Sequence, residues 1–134
     1  MFKKVLIANR GEIACRVART CGRMGISTVA VYSSADRHAL HKEMAEEAYW
    51  IGAAPSSESY LNKEAVLAVA RACGADAVHP GFGFLSENAE FAASCNGQGV
   101  RFIGPPTHVI KRLGSKLEAK EFVSNAGISV LPGS

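Results

Sequence analysis

No stretch of this chain is apolar for long enough to cross a bilayer. No sign of charge dominates it either: 15 basic side chains stand against 12 acidic ones, a net charge of +3. That field is too mild to hold a nucleic acid or an anionic membrane, so neither is expected as a partner. Cysteine is scarce and unpatterned. Cys15, Cys21, Cys73 and Cys95 include no pair at metal-ligand or redox spacing, and Cys21 and Cys73 fall on helix core faces, which suits a reducing compartment. The turn after the first apolar run, Asn9-Arg10-Gly11-Glu12, has one glycine, so the pyrophosphate cradle of a dinucleotide-binding turn is missing and a stand-alone nucleotide or flavin domain is disfavoured. There is no Walker lysine motif, no nucleophile elbow and no cluster of histidines and carboxylates at metal spacing. Repeats and low-complexity tracts are also absent. Nothing in these residues carries out a reaction alone.

What is present is a foldable α/β pattern. In 134 residues, 48% are hydrophobic and 20% charged, enough for a single core. Residues 4–8 form a short β-branched run without alternation, the mark of a strand covered on both faces. A helix is predicted from Glu12 to Met24, with Ile13, Val17, Cys21 and Met24 as its apolar positions and Gly25 as its stop. Arg16, Arg19 and Arg23 lie on another face, which reads as a solvated stripe or as a subunit contact. Strands are predicted at 28–32, 48–51, 75–79 and 100–103, with a turn at Ser33-Ser34-Ala35-Asp36, a weak helix at 39–46 and a loop at 53–59. Asn62 caps a helix with Ala65, Val66, Val69, Ala70 and Cys73 inward and Gly74 at its end. Ser86 is predicted to cap a further helix with Glu87 and Glu90 in its first turn and Phe91 and Cys95 inward. Thr107 opens a short helix to Gly114. Ser115-Lys116-Leu117-Glu118 then matches a capping box before a helix that buries Ala119, Phe122, Val123 and Ala126. The expected fold is therefore α/β: an open parallel Rossmann-like sheet of about five strands with helices on both faces. No leader peptide is visible before the first strand, and the extended residues 129–132 read as the start of a strand lacking a partner, as at a cut.

The chain is organised around Ala77-Val78-His79-Pro80-Gly81-Phe82-Gly83-Phe84-Leu85-Ser86-Glu87-Asn88. A strand runs into a turn with two glycines and two aromatics, and then into a helix, a common ligand-binding place in α/β proteins. This stretch, with Ile7-Ala8-Asn9-Arg10-Gly11-Glu12-Ile13-Ala14, Ser33-Ser34-Ala35-Asp36, Ser59-Tyr60-Leu61-Asn62 and Phe102-Ile103-Gly104-Pro105, resembles the N-terminal domain of biotin carboxylase over essentially the whole chain. The wording of Ala14-Cys15-Arg16-Val17 and Glu47-Ala48-Tyr49-Trp50-Ile51-Gly52 is similar to the α subunits of mitochondrial acyl-CoA carboxylases, first the 3-methylcrotonyl-CoA enzyme of leucine catabolism and second the propionyl-CoA enzyme.

The resemblance implies the domain that precedes an ATP-grasp fold. The N-terminal domain would span 1–114, and 115–134 would be a helix and the start of a linker into the ATP-grasp part. It implies a ligase that uses ATP, Mg2+ and bicarbonate to make carboxyphosphate and carboxylates biotin, with the carboxyl later moved to an acyl-CoA. The implied partners are the remainder of the biotin carboxylase chain, a biotin carrier domain and a carboxyltransferase subunit. The implied compartment is the mitochondrial matrix, or the cytoplasm if the source is bacterial.

By the same resemblance, Lys116 contacts the ATP phosphates, Phe82 and Gly83 lie against the biotin bicycle, and Glu87 holds an arginine from elsewhere in the chain. His79 pins the loop, and residues 9–11 shape the floor beneath it. Two departures are visible. Phe82 replaces the tyrosine of many members, and Arg23 replaces an acidic residue of the bacterial dimer contact, which argues against a dimer of the bacterial kind. The competing reading is a structural or subunit-contact module built on the arginine stripe. The glycine-rich lid, the magnesium carboxylates and the bicarbonate-binding arginine belong to other parts of such chains, so this chain alone is expected to be catalytically inert.

Lys116→Gln in the full-length carboxylase is expected to raise the KM for ATP roughly tenfold or more, the loss of a charged hydrogen bond, with the thermal midpoint unchanged. Steady-state kinetics with ATP varied would decide it, and an unaltered KM would remove Lys116 from the site.

Overall fold

The central strands of the sheet pair because their β-branched and small residues are shielded on both faces. In the computed structural model, which describes residues 1–104, β1 (Lys4–Ile7), β2 (Ser27–Ser33), β3 (Glu47–Gly52), β4 (Ala77–His79) and β5 (Arg101–Phe102) form one sheet in the order β3-β2-β1-β4-β5. Every neighbouring pair is parallel. Parallel strands need crossover connections, here α1 (Gly11–Arg23), α2 (Leu40–Met44), α3 (Lys63–Cys73) and α4 (Ala89–Gly97). Right-handed crossovers place α1 and α2 on one face, and α3 and α4 on the other. The residues agree. Leu6, Val29, Val31, Val78 and Phe102 enter one cluster with Val66, Val69 and Phe91, while Val5, Ile7 and Ala77 face Ala14, Ala18 and Cys21.

The two faces are filled unequally. The α3/α4 side is the main core, where Tyr60, Phe91, Leu6 and Leu85 are among the largest fully buried side chains and the rings of Phe91 and Phe102 meet edge to face at 5.9 Å. On the other face α1 packs through Ala14, Cys15, Ala18 and Cys21, mostly small residues. The predicted stripe is therefore shifted. Cys21 is buried as expected, but Met24 is 51% exposed, and Ile13, Val17 and Met24 line an apolar groove of about 630 Å3 beside β4 and β5, with Phe2, Ile26 and Ile103. Small residues win the sheet-facing positions because the helix lies close to β1.

The caps show where local chemistry dominates. The Asn62 side chain accepts from the Ala65 N–H at 3.2 Å, and Gly74 closes α3 in the left-handed conformation. Ser86, by contrast, caps nothing. α4 starts at Ala89 and its cap is Asn88, whose side chain accepts from the Phe91 N–H at 2.8 Å. Residues 84–87 are a turn, with the Ser86 N–H donating to the Gly83 carbonyl at 2.9 Å, so Glu87 lies outside α4 and not in its first turn. All four cysteines are free and buried. At the far edge the indole of Trp50, the single tryptophan, donates to Ser34 Oγ at 2.9 Å and is 59% exposed. No helix among the described residues is long and apolar enough to cross a membrane. The segment 115–134, with Lys116, and the helices expected beyond Pro105 lie outside the described residues.

Gly52 is the tightest backbone approach. Its φ is +147°, and a β-carbon there would sit 1.8 Å from the Glu58 carbonyl oxygen. Gly52→Ala is expected to lower stability by about 3 kcal/mol, near the upper end of overpacking penalties. Gly99→Ala, at φ +77° with open space around it, is expected to cost only about 1–2 kcal/mol for its left-handed backbone. Urea unfolding of the two variants would measure the contrast.

Candidate functional site

In the strand order 3-2-1-4-5 the chain leaves β1 toward one edge and β4 toward the other. The connections diverge and leave a crevice beyond the carboxyl ends of these two strands, the place where open parallel sheets bind ligands. Two segments meet there: Asn9-Arg10-Gly11 after β1, and His79-Pro80-Gly81-Phe82-Gly83-Phe84 after β4. The Ala8 N–H donates to the His79 carbonyl at 2.9 Å, the last rung joining them.

The loop after β4 is built from left-handed residues. Gly81, Gly83 and Phe84 have φ of +66°, +68° and +47°. Phe84 is the only non-glycine with positive φ among the described residues, and a bulky residue holds that conformation only where its surroundings demand it. Its ring packs on the buried Tyr60 ring, centroids 5.2 Å apart. Phe82 turns the other way and is 76% exposed. Gly83 is exposed as well. The two residues expected to face a ligand thus sit side by side at the crevice mouth, and Phe82 also borders the apolar groove of α1. Glu87 is exposed, three residues beyond Phe84. His79 is half-buried, and its Nδ1 accepts from the Gly81 N–H at 3.1 Å. Burial lowers its pKa from the ordinary histidine value, which keeps the ring neutral and that lone pair available.

Beneath the loop lies an ionic cluster that the sequence reading missed. Arg10 Nε and Nη2 donate to Asp36 Oδ2 and Oδ1 at 2.6 and 2.8 Å, a bidentate pair. The Tyr60 hydroxyl donates to Asp36 Oδ2 at 2.7 Å and accepts from the Ser33 N–H at 3.1 Å. The Asp36 carboxyl is held at about 2, chiefly by the Arg10 hydrogen bonds working against desolvation, with help from Tyr60. Burial, then the hydrogen bond to Asp36, pushes the Tyr60 phenol up to about 12. Residues 33–36, expected as a turn with capping residues, make a single 3-10 turn over Ser34–Asp36 with no side-chain cap. Asp36 serves instead as the anion that gathers three connections. The one sequence signal was an isolated acid at the end of an apolar strand, with Arg10 and Tyr60 at the ends of two other segments.

A biotin carboxylase N-terminal domain family model matches residues 1–110. The chain is 55% identical over 134 residues to a biotin carboxylase of Halalkalibacterium halodurans, covering all of this chain and 30% of that one. It is also 55% identical over 130 residues to the mitochondrial methylcrotonoyl-CoA carboxylase subunit alpha of Mus musculus, covering 97% of this chain and 18% of that one. It therefore spans less than a third of these curated relatives. Among solved structures it superposes with a TM-score of 0.84 and 51% identity on the biotin carboxylase domain dimer of Hydrogenobacter thermophilus 2-oxoglutarate carboxylase in complex with MgADP, ADP and bicarbonate, covering 100% of this chain and 29% of that one.

Because the folded pKa of Asp36 lies near 2 and the ordinary value is 3.8, its contribution to stability is complete above about pH 4 and is lost as pH falls through 2. That contribution is about 2 kcal/mol. Asp36→Asn is expected to be destabilised by a similar amount at pH 7 and to show a flatter acid limb. Urea midpoints recorded from pH 7 to pH 2 would test both.

Proposed function

We propose that this chain, which belongs to the biotin carboxylase N-terminal domain family, forms one wall of the site in which biotin is carboxylated at the expense of ATP and with bicarbonate. The observation that carries the reading is the pairing of Phe82 and Gly83 at the switch-point crevice. A bare aromatic face and an exposed glycine backbone, both on a rigidly held loop, suit a flat bicyclic urea. The ring supplies a stacking surface and the backbone supplies hydrogen bonds. Biotin is the substrate in this reading, and the role of these residues is to orient its ureido edge and exclude water from one side.

ATP with Mg2+, when bound, would supply the activation of bicarbonate. Among the described residues no group of three or more His, Cys, Asp or Glu could hold a metal ion. The cation and nucleotide contacts are proposed to come from residues beyond 1–104, with Lys116 as one phosphate contact. Glu87 is proposed to hold an arginine supplied by the remainder of the carboxylase. A biotin carrier domain and a carboxyltransferase subunit complete the reaction sequence.

At the finer level we place the chain in an α subunit of an acyl-CoA carboxylase, 3-methylcrotonyl-CoA first and propionyl-CoA second, and hence in leucine catabolism in the mitochondrial matrix. The 55% identity to the mouse subunit supports this. The equal identity to a bacterial biotin carboxylase supports the cytoplasmic alternative as well. A contact role for α1 is the second reading, favoured by the exposure of Arg16, Arg19 and Arg23 beside the apolar groove. Sedimentation of the chain separates the two, since a tight oligomer belongs to the contact role.

Phe82→Ala in the full-length carboxylase is expected to raise the KM for free biotin roughly tenfold, the worth of one aromatic contact, and to leave the KM for ATP within about twofold. Gly83→Val should do more, because a branched side chain at φ +68° both strains the loop and fills the space left for the ligand. Normal biotin carboxylation in both variants would overturn the reading.

A further inference from the structure

The loop that carries Phe82 and Gly83 is held by one buried side chain. Asn9 is 2% exposed, and its Nδ2 donates to the Pro80 carbonyl at 2.7 Å and to the Phe82 carbonyl at 2.7 Å. Its Oδ1 accepts from the Arg10 N–H at 2.8 Å. The partners fix which end is nitrogen: two carbonyls face one end and an N–H faces the other. All three hydrogen-bonding positions of the carboxamide that the loop can reach are therefore used.

This arrangement controls where two peptide N–H groups point. In a trans peptide the carbonyl and the following N–H point in opposite directions, and there are no cis peptides among the described residues. With the Pro80 carbonyl turned in to Asn9, the Gly81 N–H is turned away, and it is taken up by His79 Nδ1 at 3.1 Å. With the Phe82 carbonyl turned in to Asn9, the Gly83 N–H is likewise turned away from the interior. Among the described residues it has no acceptor, and Gly83 is exposed. Gly81 has no room to deviate, since a β-carbon there would sit 2.7 Å from Asn9 Nδ2.

We propose that Asn9 is a positioning residue for biotin: by holding the Pro80 and Phe82 carbonyls it presents the Gly83 N–H outward as a fixed donor to the ureido oxygen, beside the Phe82 ring. The inference rests on the reading of this loop as the biotin-facing one. Asn9 itself touches no substrate. Its effect passes through the orientation of one peptide. Asparagine suits the post because aspartate, its isostere, would aim a carboxylate oxygen at two carbonyl oxygens and push the loop off.

The test uses the full-length carboxylase with free biotin and ATP varied in turn, on Asn9→Asp, Asn9→Ser and Phe82→Ala. Asn9→Asp is expected to raise the KM for biotin at least tenfold with the KM for ATP unchanged, and Asn9→Ser, which keeps one donor, to fall between it and wild type. In the 134-residue chain, amide exchange at Gly81, whose N–H is held by His79 Nδ1 while the loop keeps its shape, should quicken in the same order when read by NMR. If Asn9→Asp does not fold, Asn9→Ser decides the matter, and a wild-type KM for biotin and wild-type exchange in it overturn the proposal. Wild-type biotin kinetics in the Asn9 variants with a raised KM in Phe82→Ala overturn the positioning role and leave the biotin reading intact. Wild-type kinetics in all three overturn that reading and this inference together.

Discussion

A carboxylate kept out of water must find its own counterions, and at the carboxyl edge of this sheet Asp36 does so by drawing three connections together. Arg10 comes from the exit of β1, Ser33 and Asp36 from the exit of β2, and Tyr60 from the segment after β3. The bidentate guanidinium and the phenol satisfy the anion, and the anion in turn fixes both of them. The Tyr60 ring is thereby made a rigid platform for Phe84, whose left-handed backbone is sustained by that packing. Asn9, one residue before Arg10, secures the same loop from beneath. The loop after β4 is held from two directions, and among the described residues Phe82 and Gly83 on its outer face stay exposed.

The two sides of the sheet divide the work differently. The α3/α4 side holds the large core residues and gives the domain its cohesion. The α1/α2 side is thinner, built on alanines and cysteines close to β1, and it leaves an apolar groove over β4 and β5 that runs to Phe82. The crevice at the switch point and this groove share a residue. Events at the loop and on the α1 face are consequently neighbours in space, although α1 and the loop are far apart in sequence.

Much of the fold was legible because the signals were local. Unalternating runs such as Val5-Leu6-Ile7 mark strands shielded on both faces, and Asn62 with Gly74 bracket α3 on the expected residues. The start of α4 was misplaced because Ser86 and Asn88 are both good caps and residues 84–87 are committed to a turn by Gly83 and Phe84. The inward stripe of α1 was misjudged at Ile13 and Met24, which hydrophobicity favours over the alanines, whereas Val17 does pack on the core and a helix lying close to a strand selects for size. Between β4 and α4, the turn that carries Phe82 and Gly83 was readable from its glycines. The Arg10–Asp36–Tyr60 cluster and the Asn9 contacts were not, since they join residues 24 to 73 positions apart and local patterning carries no such information.

The lone tryptophan has an optical consequence. Trp50 lies on the edge strand β3, half in water, with its indole tied to Ser34. Its emission therefore reports on the detachment of that edge and the breaking of its tether to the 3-10 turn. A fluorescence trace that stays flat while a small molecule enters the β1/β4 crevice would reflect only the distance of the chromophore from the event.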